Sequence, residues 1–184
     1  MADHIVLNTE DPPLTGVNIK ECYQCGKCSA GCPVAEEMDY RPSVIMRMLQ
    51  TGNPDLEDKV LRSYSIWLCL TCETCYARCP MEIDIPVVMD NLRQRSYHLG
   101  KINPKARNIV AFHKSFLKTI TKNGRLHELG LILGYKMRSF KLFQDVALAP
   151  RMISRGKLHL VPEQIRNHRS FFRLCSDMLK KNKP

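Results

Sequence analysis

Eight of the chain's nine cysteines fall into two strings of identical spacing. Cys22, Cys25, Cys28 and Cys32 run into Pro33, and Cys69, Cys72, Cys75 and Cys79 run into Pro80. Both read Cys-x2-Cys-x2-Cys-x3-Cys-Pro, offset by 47 residues, and Ala30 and Ala77 repeat with them. A duplication this strict constrains the fold before any helix or strand is read, because the backbone around each string must bring closely spaced thiols to a common centre.

Three thiols at two-residue gaps let a backbone loop wrap one corner of a cubane. The fourth follows a longer gap, and the proline after it restricts it to an extended conformation. In two-cluster ferredoxins with this run, the fourth cysteine ligates the other cluster. That wiring assigns Cys22, Cys25, Cys28 and Cys79 to one 4Fe–4S cluster, and Cys69, Cys72, Cys75 and Cys32 to a second. Such an exchange couples cluster assembly to folding. Gly26, inside the first loop, lets backbone N–H groups approach sulfur, a contact that raises a cluster's potential. The rival readings are two zinc sites of four thiolates each, and disulfides. Structural zinc sites come as separated Cys-x2-Cys pairs, and disulfides belong to oxidising compartments, of which the sequence gives no sign.

Charge divides the chain. Residues 1–100 carry 14 Asp and Glu against 9 Lys and Arg, whereas residues 101–184 carry 4 against 19, so the net charges are −5 and +15. The sequence predicts a helical two-cluster domain over 1–100 and a basic helical extension over 101–184 that docks a partner protein. No run of 18 apolar residues exists, and the first ten residues lack the layout of a secretion signal. A cytoplasmic protein with no membrane span is expected.

The 36 residues between the strings read as helices. Arg41-Pro42-Ser43 opens one that Gly52 ends. Asn53 and Pro54 open another, whose stripe Leu56, Val60, Tyr64, Trp67 and Leu68 reaches Cys69. Asp84 and Pro86 start a third that stops at Gly100. A strand is expected at most near Ile5 to Leu7. Tyr64, Trp67 and Tyr76 are read as walls that keep water from the second cluster rather than as electron relays.

In the basic half, Asn103 and Pro104 cap a helix with the stripe Ile109, Phe112, Phe116 and Ile120, and Lys114, Lys118 and Lys122 line another face. Leu126, Leu129, Leu133 and Met137 form a second stripe, and Ile165, Phe172, Cys175 and Leu179 a third. Pro150, Gly156 and Pro162 mark a loose linker. The lysine row fits a solvated face or a docking surface for an acidic partner. Nucleic acid is disfavoured, because aromatic residues fall on the apolar stripes and not among the basic ones. Cys175 reads as a free buried thiol, and His113 as a core or interface histidine. No dinucleotide fingerprint, Walker loop, nucleophile elbow or zinc-protease motif is present, so no catalytic residue is assigned.

The paired strings from Cys22 to Pro80, the insert ending Ile66-Trp67-Leu68-Cys69, and the run Asn103-Pro104-Lys105-Ala106-Arg107-Asn108-Ile109-Val110-Ala111-Phe112-His113 resemble the C subunits of heterodisulfide reductase from methanogenic archaea. The cysteine strings alone are common to many ferredoxin-like proteins; the length, the 47-residue offset and the basic tail narrow the match. All eight ligand positions of that family are present. The resemblance implies a cytoplasmic oxidoreductase complex in which two 4Fe–4S clusters carry electrons. They would pass from the flavin-containing, bifurcating A subunit to the catalytic B subunit, which reduces the coenzyme M–coenzyme B disulfide in methanogenesis. A hydrogenase or a formate dehydrogenase would feed the assembly. Alternatives are the iron–sulfur component of a glycolate, glycerol-3-phosphate or thiol:fumarate system, and a non-redox iron–sulfur module on nucleic acid.

Overall fold

Prolines and short polar caps start most of the helices that the cysteine strings hang from. The computed structural model describes residues 17–139, 149–156, 162–163 and 165–181. The expected strand at Ile5 to Leu7 lies outside them. The described residues are helical and contain no strand. The chain divides into two units, Met1–Ala106 and Arg107–Pro184.

In the first unit, a one-turn helix α1 (Lys27–Ala30) lies within the first cysteine string. Helix α2 (Pro42–Gln50) follows, with proline in its first turn. Asn53 accepts a hydrogen bond from the Asp55 N–H at 2.8 Å and opens α3 (Pro54–Leu61). The predicted continuous stripe into Cys69 is broken here. Helix α3 ends at Leu61, and a separate turn, α4 (Ser65–Leu68), leads into Cys69. The cause is distant in sequence. The Asp39 carboxylate accepts from the Tyr64 and Ser65 N–H groups at 2.8 Å each, and from the Ser65 hydroxyl, so a new helix starts at that point. Helix α5 (Thr74–Ala77) lies within the second string, and α6 (Ile85–His98) starts at Asp84, whose side chain accepts from the Val87 N–H at 3.0 Å.

The core of this unit joins the helices of the insert to α6. Ile45 and Met46 of α2, Val60 of α3, Ile66 of α4 and Val88, Met89 and Leu92 of α6 are fully buried. Each such side chain contributes about 1.5–3 kcal/mol relative to exposure. Arg95 of α6 reaches Glu57 of α3 at 2.5 Å, and Lys101 reaches Asp58 at 2.7 Å. Asn103 closes the unit: its amide donates to Arg62 O at 2.7 Å, and its oxygen accepts from the Lys105 N–H at 3.0 Å.

The second unit holds α7 (Arg107–Asn123), α8 (Glu128–Ser139), α9 (Ala149–Ser154) and α10 (His168–Lys181). The buried line of α7 is not the predicted aromatic stripe. Val110, Ala111, Ser115, Thr119 and Asn123 are buried, while Phe112 is exposed and stacks on Phe116 at 6.2 Å. Small side chains let α8 approach: a Cβ on Gly134 would lie 3.3 Å from Ser115 Oγ. The hydroxyls are satisfied within the helix, Ser115 Oγ donating to Ala111 O and Thr119 Oγ1 to Ser115 O, each at 2.8 Å. Lys114, Lys118 and Lys122 are not buried. His113 is exposed too, so it is not a core residue, and Cys175 is half-buried rather than buried. Ile165 precedes α10 instead of lying on it, and Pro150 sits inside α9 rather than in a linker.

Candidate metal centre

The two cysteine strings adopt one backbone trace. Gln24 and Thr71, at matching positions, both have positive φ, +63° and +50°. Gly26 and Glu73 also match, at +77° and +59°, and each caps the one-turn helix that follows. The third cysteine, Cys28 or Cys75, is the second residue of that helix, and the fourth follows its end. Left-handed residues at these two places turn successive N–H groups toward one side of the loop, an arrangement that suits anionic sulfur. The N–H groups of Thr71, Thr74, Tyr76 and Ser29 accordingly favour the thiolates of Cys69, Cys72, Cys75 and Cys28. The Ile83 N–H reaches Cys79 Sγ at 3.4 Å.

Helices α1 and α5 pack on each other, which brings the strings together. Gly31 and Arg78, another matched pair, meet at this contact. A Cβ on Gly31 would lie 2.6 Å from Arg78 Nη1 and 2.7 Å from its Cδ, so the arginine takes the space of a side chain.

One cleft, of about 390 Å³ with its open mouth included, is lined by Cys69, Cys72 and Cys75 of the second string and Cys32 of the first. Its wall is apolar, from Val34, Met38 and Leu70 and from Ile85, Pro86 and Met89 of α6. Trp67, read from sequence as a wall residue, is buried but does not line this cleft, and Tyr76 is exposed. The Tyr23 hydroxyl lies within electrostatic reach of Cys25, Cys79 and Cys22, and Cys28 within that of Cys22. Cys28 also acts on Cys75, so the two sets are neighbours.

Burial pushes the Cys75 thiol up to about 11, with the charge of Cys69 adding to it. Burial also raises Cys28 and Cys69, while the Thr74 hydroxyl and N–H lower Cys72. Loading these sites with metal must therefore expel protons. Among the described residues, no three Cys, His, Asp or Glu side chains converge tightly enough to hold a single metal ion. One ion bound by four thiolates needs sulfurs about 3.8 Å apart, whereas a cubane holds its ligand sulfurs at the corners of a larger core. The donor set around the cleft fits such a core: three thiols of one string beside one of the other.

Sequence reasoning missed the residues that support these loops. Gln50 donates to Ile19 O at 3.1 Å and Cys22 O at 2.6 Å, which fixes the start of the first loop. Arg93 of α6 donates to Ile66 O at 2.5 Å and to Cys69 O, and pairs with Asp90 at 2.8 Å. Asp39 holds the turn that leads into Cys69. Each acts across more than 20 residues, and no local pattern marks any of them.

Comparison with known proteins agrees with this geometry. Residues 18–83 match the 4Fe-4S dicluster domain family. The second CoB–CoM heterodisulfide reductase iron-sulfur C subunit of Methanocaldococcus jannaschii is 34% identical over 122 residues, covering 66% of this chain and 63% of that protein. The CoB–CoM heterodisulfide reductase iron-sulfur C subunit of Methanopyrus kandleri is 39% identical over 95 residues, 52% of this chain and 47% of that protein. Against these two relatives the match therefore spans less than two thirds of their length. For the ferredoxin:CoB-CoM heterodisulfide reductase C subunit of Methanosarcina mazei, 31% identity over 121 residues covers 63% of this chain and 72% of that protein. With the shared dicluster domain and the matched loops, the chain belongs to the iron–sulfur C-subunit family of heterodisulfide reductases.

Proposed function

We propose that this chain is the electron-transfer component of a heterodisulfide reductase. Cys22, Cys25, Cys28 and Cys79 hold one 4Fe–4S cluster, and Cys69, Cys72, Cys75 and Cys32 hold the other. Each cluster, once bound, accepts and returns one electron. The observation that carries the reading is the cleft that sets Cys32 of the first string among Cys69, Cys72 and Cys75 of the second. In this reading the thiols complete both ligand sets, the Ile83 N–H supports the Cys79 sulfur, and α6 with Met38 gives the second site an apolar wall.

In this reading the chain makes and breaks no substrate bond. Electrons arrive from the flavin- and iron–sulfur-containing A subunit and leave to the B subunit. The latter reduces the coenzyme M–coenzyme B disulfide to two thiols. A hydrogenase or formate dehydrogenase feeds the complex in the cytoplasm; one relative, from Methanococcus maripaludis, is named as the C2 subunit of an H(2)/formate:CoB-CoM heterodisulfide,ferredoxin reductase. The basic extension, 101–184 by charge, docks the B subunit. Exposed apolar side chains support this: Leu133 and Met137 of α8, and Phe172, Leu174 and Met178 of α10, leave the second unit a thin core. No helix among the described residues is long and apolar enough to cross a membrane.

Anaerobic purification from the native host tests the assignment. The A and B subunits should elute with the chain, and the chain should hold about eight irons, four per cubane site. Zinc in place of iron, or a different set of partners, overturns it. Deleting residues 125–184 should release the B subunit while leaving both cluster spectra intact; retained binding refutes the docking role.

A further inference from the structure

The two loops share a backbone but differ in what they offer to sulfur, and the consequence rests on the two-cluster reading above. In the first loop, Gln24 Nε2 lies 3.5 Å from Cys22 Sγ. The amide is held there, because it also donates to Gln50 Oε1 at 2.8 Å, and Gln50 is itself bonded to Ile19 O and Cys22 O. Beside it, the Tyr23 hydroxyl lies within electrostatic reach of Cys25, Cys79 and Cys22. The matching residues of the second loop are Leu70 and Thr71. Leu70 has no donor, and Thr71 turns its hydroxyl onto Leu70 O at 2.7 Å. Thr74 Oγ1, 3.5 Å from Cys72 Sγ, is the second loop's hydroxyl at sulfur. Arg93 brings a positive charge near Cys69, but Asp90 balances it at 2.8 Å, and Glu73 adds a negative charge beside Cys72.

Reduction adds negative charge to a cluster and its thiolates. Donors to sulfur stabilise that added charge, whereas an apolar wall and a nearby carboxylate oppose it. The second set sits against Val34, Met38, Ile85 and Met89. We infer that Tyr23 and Gln24 make the set Cys22, Cys25, Cys28 and Cys79 the stronger electron acceptor, so that a single electron given to the chain comes to rest there. With clusters held by both sets, one electron would leave the second set and arrive at the first, with no bond made or broken. The relay then has a built-in direction, from the second string's site to the first's.

Potentiometric titration of the anaerobic, full-length chain, followed by electron paramagnetic resonance, tests the ordering. Two one-electron steps are expected. Tyr23→Phe and Gln24→Met should each lower the midpoint of the higher step and leave the lower step in place, and the double variant should narrow the gap further. Thr74→Val should move the lower step alone. The inference is overturned if Tyr23→Phe or Gln24→Met moves the lower step, if Thr74→Val moves the higher one, or if no variant moves either. Iron analysis separates the two levels of failure. A parent chain without about eight irons sinks the two-cluster reading, whereas a loaded parent with the wrong response sinks only the ordering.

Discussion

The first cysteine loop, 22–32, and the second, 69–79, follow the same path with different side chains. Gln24 and Thr71 take the same left-handed turn, as do Gly26 and Glu73. Yet at one matched position the first loop shows Tyr23 to solvent at 59% exposure and the second shows Leu70 at 60%, so a hydroxyl in one loop is replaced by an apolar side chain in the other. Spacing and backbone thus serve ligation, which both loops must achieve. The other side chains set the surroundings of each site, and there the loops have diverged.

Removing an exchanged ligand is the strongest way to break this symmetry. Cys32→Ser should empty the site of the second string, and Cys79→Ser that of the first, each halving the iron content to about four per chain. The spectrum that survives in Cys32→Ser should equal that of Cys75→Ser and differ from that of Cys28→Ser. Identity with Cys28→Ser would mean that each string binds its own cluster.

The matched pair Gly31 and Arg78 comes next. Gly31→Val places branched bulk where the guanidinium lies and should cost about 1–3 kcal/mol, read as a fall in the midpoint of chemical unfolding. Adding Arg78→Ala should recover much of it, because the obstacle is a flexible side chain. An equal loss in both backgrounds would place the strain elsewhere.

Asp39 supports one loop and not the other. Burial works against its charge, but donations from the Ser65 hydroxyl and from the Tyr64, Ser65 and Tyr40 N–H groups outweigh this and hold the carboxyl below its usual range. The folded value lies below the unfolded one, so the stabilisation is full above the ordinary carboxylate range. It is lost as pH falls through the folded value. Asp39→Ala should cost about 1–2 kcal/mol at neutral pH and flatten the acid limb of the stability profile. An unchanged acid limb would mean that the carboxylate does not hold α4.

The smallest effect should come from exchanging the left-handed residues. Glu73→Gly relieves a side chain held at φ +59° and should stabilise by about 1 kcal/mol, while Gly26→Ala should destabilise by about as much. Cβ crowding does not enter for Gly26, which has open space around it. The same sign for both would show that the loops do not share a backbone once loaded.

Much of the site was legible in the sequence because its ligands are local. Three thiols at two-residue gaps are brought together by one loop, and prolines and asparagine caps mark the helices around it. The elements that failed were decided by contacts across the fold. The helix predicted to run from Pro54 to Leu68 breaks where Asp39 intercepts it. The aromatic stripe of α7 gave way to a line of small residues, since close approach of α8 requires low volume rather than high hydrophobicity.

By itself, the sequence determined the chemistry: the number of thiols, their grouping, the helical class and the break in charge between the halves. Those follow from residue type and spacing, which need no knowledge of what lies opposite. Only the tertiary structure turned the Gln24 amide toward Cys22, put Arg93 on the carbonyl of Cys69, and set Asp39 at the start of α4. Sulfur responds to donors and charges within a few ångströms of it, and the residues that come so near are set by how α2 and α6 pack rather than by their order in the chain.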